Sequence, residues 1–368
     1  MHEPKKYSLS EFTDYMKAIS EKRKIYIYGA GTYGKIYGNF FEKNNISWEG
    51  YIDSNEKLVG KYLYKKRIIG LKDIFNNHDW VVIFSLSKHI YGHKFDDLYM
   101  QLNNVGIDKE NILYFGDDFE LLDNIISSSK DAGDILQRNL KLKDIYKGKR
   151  CFVIGNGPSL RIEDINKLSS EVSMGCNNIY QLFEKSVWRP TCFFAEDSIF
   201  LDEHVKTDNE LKYFLNNCDF LFSTLRSDLY DNYSDKYDKL FYLYTCKTQL
   251  KDIMFSPDLT QKIYSAATTL YTMLQVAVYM GIKDIYLLGV DFSFKQEVDE
   301  SGCMAVNANI KNHADIIKET NGIYHTDIML KGYKVAKEYA ELHGIRIYNA
   351  TRGGKLEVFE RVNFDDLF

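Results

Sequence analysis

The feature that most constrains the fold is a short apolar strand ending in a glycine turn, Arg150 to Leu160, with the sequence R-C-F-V-I-G-N-G-P-S-L. The run Cys151 to Ile154 predicts a strand buried on both faces, and a helix-compatible segment follows the turn. Such a turn directs backbone N–H groups toward an anion, and its glycines let a ligand approach the backbone. The segment therefore predicts a phosphate-binding turn or an ordinary strand-to-helix turn. Ser159 is expected to cap the helix.

A second strand–turn–helix pattern lies near the amino terminus. Lys24 to Tyr28 predicts a strand, and the next six residues, G-A-G-T-Y-G, match G-x-G-x-x-G. Asp53 closes the following predicted strand, about 20 residues past the glycines, where a dinucleotide-binding unit has its ribose-binding carboxylate. The candidate ligands of NAD or another nucleotide are therefore Gly29, Gly31, Gly34 and Asp53. A structural or assembly role for this part of the chain is the alternative.

Strand and helix patterns alternate through the rest of the chain, which predicts an α/β protein with two Rossmann-like, doubly wound parallel-sheet domains in tandem. Residues 1–117 are expected to form the small first domain, residues 118–149 a helical linker, and residues 150–368 a nucleotide-binding catalytic domain. Ligands of such sheets bind beyond the carboxyl ends of the strands.

Polar residues follow several predicted strands of the second domain, and the ends of parallel strands meet at one edge. Those expected to share a site are Gly155, Asn156, Gly157, Ser159, Asn177, Asn178, Glu196, Asp197 and Asp291. Asparagine amides suit a nucleotide because each offers both a donor and an acceptor. His325, in a late loop, is either a general base over this crevice or a surface histidine. His313 is expected to be exposed to solvent.

Bulk properties exclude several classes of protein. Net charge is −5, with Lys and Arg spread along the chain, so no nucleic-acid partner is expected. Six cysteines without a C-x-x-C pattern predict a reduced protein of the cytoplasm without disulfides or a structural zinc site. No signal peptide is recognisable, and no run reaches the ~18 apolar residues of a membrane span. Peripheral membrane contact and homo-oligomerisation stay open.

The ordered motifs of the second domain resemble two related families. G-N-G-P-S-L, C-N-N-I-Y, I-Y-L-L-G-V-D-F and Y-H-T-D are similar to the bacterial sialyltransferases of glycosyltransferase family 42. Together with N-A-T-R-G-G-K-L-E-V-F near the end, they resemble the MptE-like family (DUF115) more closely. That family takes its name from an archaeal 6-hydroxymethylpterin pyrophosphokinase and includes many bacterial surface-polysaccharide and flagellin-glycosylation proteins. The resemblance covers about residues 148–360.

The sialyltransferase resemblance implies a cytoplasmic enzyme that builds a surface glycan. It would transfer a sialic-acid-like sugar, with inversion, from a CMP-activated donor to a glycan acceptor without a metal. Asn156 and Asn177 match positions that hold the cytidine nucleotide, and His325 matches the base that deprotonates the acceptor hydroxyl.

The phosphate contacts of that family are only partly present. Lys262 falls near an arginine of the sialyltransferases, and lysine cannot make the same bidentate contact. Phe292 and Phe294 fall near their phosphate-binding tyrosines, and a phenyl ring cannot donate a hydrogen bond. Lys262 or Tyr324 is therefore expected to contact the phosphate instead.

Two further functions remain open. The MptE-like resemblance implies pyrophosphoryl or phosphoryl transfer from ATP, with Asp197 and Asp291 holding Mg²⁺. The third possibility is a non-catalytic, nucleotide-binding scaffold of a glycan assembly complex.

Overall fold

The computed structural model describes residues 7–74, 79–86, 93–115, 121–122, 124–125, 136–205, 207–224, 233, 236–246, 253–294, 296–298, 304–306, 313–314, 317 and 324–368. The chain divides into two compact units, residues 1–133 with 226–228, and the remainder from residue 134. Much of the predicted linker, residues 118–149, lies outside the described residues. Its described part contains a 3₁₀ turn, Arg138–Leu142.

The first unit contains a six-stranded sheet in the order β3-β4-β2-β1-β5-β6. Its strands are β1 (Lys24–Tyr28), β2 (Gly50–Ile52), β3 (Tyr62–Leu63), β4 (Lys66–Ile69), β5 (Trp80–Phe84) and β6 (Ile112–Tyr114), and its helices are α1 (Leu9–Ser20), α2 (Thr32–Lys43) and α3 (His93–Asn104). All strand pairs are parallel except the β3–β4 hairpin. Ile25 and Ile27 of β1 pack in the core that contains residues of α1 and α2, whereas Tyr28 packs in the core that contains Phe95 of α3.

The second unit contains an eight-stranded, all-parallel sheet in the order β11-β10-β9-β8-β7-β14-β17-β18. Its strands are β7 (Arg150–Ile154), β8 (Val172–Cys176), β9 (Cys192–Ala195), β10 (Phe220–Thr224), β11 (Leu240–Leu243), β14 (Asp284–Leu288), β17 (Arg346–Asn349) and β18 (Glu360–Arg361). Two small pairs lie outside this sheet, β12 (Thr245–Cys246) with β13 (Ile263–Tyr264), and β15 (Gln296–Val298) with β16 (Met304–Val306).

Five helices belong to the second unit, within the described residues: α4 (Ile162–Lys167), α5 (Ser198–His204), α6 (Asp208–Leu215), α7 (Thr269–Tyr279) and α8 (Thr326–Leu342). Cys151 and Val153 of β7 pack in one core with residues of α7 and α8. Phe152 and Ile154 pack in a second core with residues of α4, α5 and α6. Because alternate residues of one strand are buried in two cores, helices cover both faces of the sheet. This confirms the predicted doubly wound α/β class.

The order of strands places a switch point beside β7. From β7 the chain runs outward through β8, β9, β10 and β11, and it later returns to add β14 on the other side of β7. Ligands of open α/β sheets bind where the strand order reverses in this way. Here the crevice lies between the ends of β7 and β14, where Ile154 pairs with Leu288.

Candidate nucleotide-binding site

A cavity of about 850 Å³ opens beyond the carboxyl ends of β7, β8, β9 and β14. From the predicted set it is lined by Gly155, Asn156, Gly157, Asn177, Asn178, Asp197, Asp291 and Tyr324. Ser159, Lys262 and His325 are not among the described residues that line it. The strand ends therefore bring most of the predicted polar residues to one cavity.

The glycines of the turn are required by close contact with the end of β14. The N–H of Gly155 donates to the carbonyl of Leu288 at 2.8 Å, and the N–H of Gly157 donates to that of Gly289 at 2.9 Å. A Cβ atom on Gly155 would overlap the Gly289 carbonyl, and one on Gly157 would overlap the carboxylate of Asp291. Only glycine lets the two strand ends approach this closely.

Asp291 holds the turn through Ser159. The Ser159 hydroxyl donates to Asp291 Oδ2 at 2.8 Å, and its backbone N–H approaches the same oxygen at 3.3 Å. The prediction that Ser159 caps the helix is therefore wrong: α4 begins after Arg161, which makes no side-chain capping bond. Burial raises the pKa of Asp291, and the bonds from Ser159 act against that shift. The carboxylate is a structural support of the turn in addition to lining the cavity.

Two asparagine side chains leave buried acceptors without a partner. Oδ1 of Asn156 and Oδ1 of Asn177 are buried and accept no hydrogen bond from the described residues. Asn156 Nδ2 points toward the Cys176 carbonyl at 3.4 Å, which orients the amide. Asn177 has a left-handed backbone, with φ of 46°. A buried acceptor without a donor costs roughly 1–3 kcal/mol, so a ligand that supplies donors here would recover that free energy.

The amino terminus of α7 also meets the cavity and was not among the predicted site residues. Thr268 and Thr269 line the cavity, and the Thr268 hydroxyl caps the helix by accepting from the N–H of Leu270 at 3.3 Å. Ala266 and Ala267 precede it with φ of 41° and 55°. A helix amino terminus favours negative charge. In the sequence, the pair of threonines before the apolar run of this helix is the signal that could have indicated a helix start here.

Glu196 follows β9 and is not among the described lining residues. The residue is half-buried as a whole, but its Oε1 atom is buried without a hydrogen-bond partner. Burial raises the pKa of Glu196 to about 8, and an interaction with Thr272 lowers it in part. Burial therefore favours the neutral form of the Glu196 carboxyl group.

His325 is the residue that precedes α8, and it is exposed. Its neighbour Tyr324 lines the cavity and stacks on Phe294 with ring centroids 4.6 Å apart. Phe292 and Phe294 also line the cavity. The predicted base is thus adjacent in sequence to the cavity wall.

His313 was expected to be exposed, and that prediction is wrong. The residue is half-buried and lines the cavity. The backbone N–H of Ala314 donates to the carbonyl of Asn156 at 2.9 Å, which ties this segment to the glycine turn. The bond joins residues far apart in sequence, so no local pattern could have revealed it.

The cavity carries Asp197, Glu203 and Asp291 as carboxyl groups. Among the described residues that line it, none is Lys or Arg. Within the described part of the chain, no three His, Cys, Asp or Glu side chains form a group that could hold a metal ion. The five cysteines in the described part of the chain are all buried, and none of them forms a disulfide.

The glycine turn of the first unit is held by Asp53. Asp53 Oδ2 accepts from the N–H of Ala30 at 2.8 Å, and Oδ1 accepts from the N–H of Asn55 at 2.8 Å. Gly29 has φ of 97°, and a Cβ atom on Gly34 would overlap its carbonyl. Gly31 has no atom within 4 Å of an added Cβ. The predicted ribose carboxylate therefore supports the turn, and whether this turn binds a nucleotide stays a prediction.

The fold and the cavity define an α/β protein with a polar cavity at a switch point of its sheet. Residues 127–297 match the family model described as 6-hydroxymethylpterin diphosphokinase MptE-like, which confirms the predicted resemblance to that family. Residues 21–113 match the family model described as C2185-like, N-terminal. No curated protein matches the chain.

Among solved structures, the chain is similar to the MAf glycosyltransferase from Magnetospirillum magneticum AMB-1, with a TM-score of 0.40 and 13% identity. That match covers 100% of this chain and 64% of the other, so the chain spans less than two thirds of that protein. The sialyltransferase CstII from Campylobacter jejuni, solved with cytidine-5′-monophosphate, has a TM-score of 0.34 and 18% identity over 59% of this chain and 85% of that one. Among the described residues, no helix is both long and apolar enough to cross a membrane.

Proposed function

We propose that the second unit transfers a sialic-acid-like sugar from a CMP-activated donor to a glycan acceptor. The observation that carries the proposal is the pair of buried amide oxygens, Asn156 Oδ1 and Asn177 Oδ1, beside the glycine turn. The exocyclic amino group of cytosine and the hydroxyls of ribose are donors of the kind these oxygens lack. The turn and the amino terminus of α7 would hold the phosphate.

In the proposed reaction, His325 takes the proton of the acceptor hydroxyl. The acceptor oxygen then forms the new bond to the anomeric carbon, and CMP departs with the electrons of the broken bond. The position of His325 next to Tyr324, which lines the cavity, supports this role. A general base acts in the chemical step and contributes little to the affinity for nucleotide.

The nucleotide is tested by thermal shift with CMP, CDP, ATP, NAD and UDP-sugars, each with and without Mg²⁺. We expect CMP to stabilise the protein. Asn156→Ala should weaken CMP binding by roughly 1–3 kcal/mol, because it removes an acceptor that the ligand would satisfy. Asn216→Ala is the control, since Asn216 is exposed and is not among the residues that line the cavity. Equal affinities in the Asn156 variant and the wild type would contradict the proposal.

The base is tested by the release of CMP from CMP-sialic acid in the presence of acceptor glycans. His325→Ala and His325→Asn should each lower turnover by about 10²–10⁴-fold while CMP affinity stays nearly unchanged. Full activity in either variant would remove His325 from the mechanism.

The description of the matched family favours a second function, pyrophosphoryl transfer from ATP with Mg²⁺. Asp197 and Asp291 line the same cavity and would be the metal ligands. Stabilisation by ATP with Mg²⁺ and not by CMP, lost in Asp197→Asn, would favour this function. If nucleotide binds but neither transfer is detected, the scaffold alternative is supported.

A further inference from the structure

Among the described residues of the cavity, a phosphate would meet an unfavourable set of charges. The described lining contains three carboxyl groups and no Lys or Arg. Its other ionisable side chains are Cys176, Tyr180, Tyr324 and Tyr333, which are neutral near pH 7 when unperturbed. Histidine is the one remaining residue type that can carry a positive charge, and the described lining contains His204 and His313.

His204 is placed beside an acidic partner. Its Nε2 atom lies 3.8 Å from Oε2 of Glu203, so a positive charge on the ring is offset by the neighbouring carboxylate. The rings of Tyr180 and Phe200 lie 5.3 and 5.1 Å from it. This histidine belongs to α5, beyond the end of β9.

His313 lines the cavity and directly precedes a residue that is hydrogen-bonded to the glycine turn. The adjacent Ala314 donates its N–H to the Asn156 carbonyl and accepts from the N–H of Ile317 at 2.8 Å. Ala314 and Ile317 are buried in the core that contains Ile154 and Leu160, on either side of the turn in sequence. The packing of Ala314 and Ile317 and the backbone hydrogen bond of Ala314 therefore hold the residue next to His313 against the turn expected to bind phosphate.

We infer that His313 is a catalytic residue that binds the nucleotide phosphate, with its imidazolium donating a hydrogen bond to a phosphate oxygen. The inference rests on the proposed binding of a nucleotide at the glycine turn. When the bond from the anomeric carbon to the phosphate oxygen breaks, its electron pair stays on that oxygen. The imidazolium stabilises the added negative charge, while the acceptor oxygen forms the new bond and its proton goes to the base. A charge-assisted hydrogen bond is about twice as strong as a neutral one.

The test is calorimetric titration of the full chain with CMP and with cytidine between pH 6 and pH 8, for the wild type, His313→Gln and His204→Gln. Wild-type affinity for CMP should be greater at pH 6 than at pH 8, because imidazole gains its proton over this range. His313→Gln should lose CMP affinity about 10-fold at pH 6, the scale of a hydrogen bond to a charged group, and keep its affinity for cytidine. His204→Gln should retain the pH dependence of the wild type.

The ionisation of the phosphate itself contributes equally to the affinity of each protein for the same ligand. It therefore cancels when a variant is compared with the wild type at the same pH. Equal CMP affinity in His313→Gln and wild type at pH 6 would overturn the inference. So would an equal loss of CMP and cytidine binding, which would indicate a purely structural role. If adenine nucleotides bind and CMP does not, the proposed donor is wrong, and ADP against adenosine then tests His313 in the same way. If no nucleotide binds the wild type, both proposals fail.

Discussion

At the scale of single residues, the glycine turn has almost no tolerance for a side chain. We expect Gly157→Ala to abolish nucleotide binding, because its Cβ would overlap the carboxylate of Asp291. The measurement is titration with CMP. Gly31→Ala is the control, since an added Cβ there meets no atom within 4 Å and its φ is not in the left-handed region. Unchanged CMP binding in Gly157→Ala would mean that the ligand does not use this turn.

We expect burial of Glu196 to make the free energy of unfolding depend on pH. A carboxyl group whose pKa is raised on folding binds its proton more tightly in the folded state, so the free energy of unfolding falls as pH rises. For Glu196 the fall extends from its ordinary pKa of 4.5 to about 8. Glu196→Gln should remove this slope and stabilise the protein at pH 7.5 by on the order of 1–3 kcal/mol.

Urea unfolding at pH 5, 6.5 and 8 measures this effect. Glu203→Gln is a suitable control because its carboxyl side chain is 64% exposed. Parallel stability profiles for wild type and Glu196→Gln would show that the buried carboxyl does not govern the slope.

At the scale of elements, the first turn of α7 combines a cap with a cavity wall. Thr268→Ala removes the acceptor for the N–H of Leu270, so stability should fall by about 0.5–2 kcal/mol. CMP affinity should fall as well, since Thr268 lines the cavity. Chemical unfolding and CMP titration measure the two effects, and Thr268→Ser should retain both properties. A loss of stability with unchanged affinity would separate the cap from the site.

The sheets of both units were largely predictable from the sequence, because buried parallel strands are continuous apolar runs bounded by turn residues. The apolar run D-I-Y-L-L-G-V from Asp284 to Val290, for example, predicts a fully buried strand, and β14 is Asp284–Leu288. The hairpin of β3 and β4 was not expected. Its turn residues Tyr64 and Lys65 both have positive φ, with neither Asn nor Gly to signal it.

Long-range contacts account for the remaining differences. The sequence pattern predicts this helix from Tyr333 to His343, yet α8 begins at Thr326. Gly332 weakens the helical pattern, and it is needed because an added Cβ would overlap Ala266. The cavity position of His313 likewise depends on the distant carbonyl of Asn156. Sequence periodicity reports neither kind of contact.

At the scale of the whole molecule, each unit has its own sheet and its own hydrophobic cores. We therefore expect calorimetry to show two unfolding transitions, with CMP raising the temperature of one of them. Gly34→Ala should lower the temperature of the other transition, because its Cβ would overlap the carbonyl of Gly29 in the first unit. If NAD binds the first unit, it should raise the temperature of that same transition. A single unfolding transition whose temperature responds both to CMP and to Gly34→Ala would contradict this division.

The left-handed backbone of Ala266 and Ala267 affects how a ligand would be received. For an alanine this conformation is unfavourable by roughly 1–2 kcal/mol relative to the right-handed one, so surrounding contacts must enforce it. Ala266 is fully buried, and Gly332 leaves the space it occupies. These contacts thus fix the backbone at the start of α7 before any ligand binds. Association would then proceed with little loss of conformational entropy on the protein side.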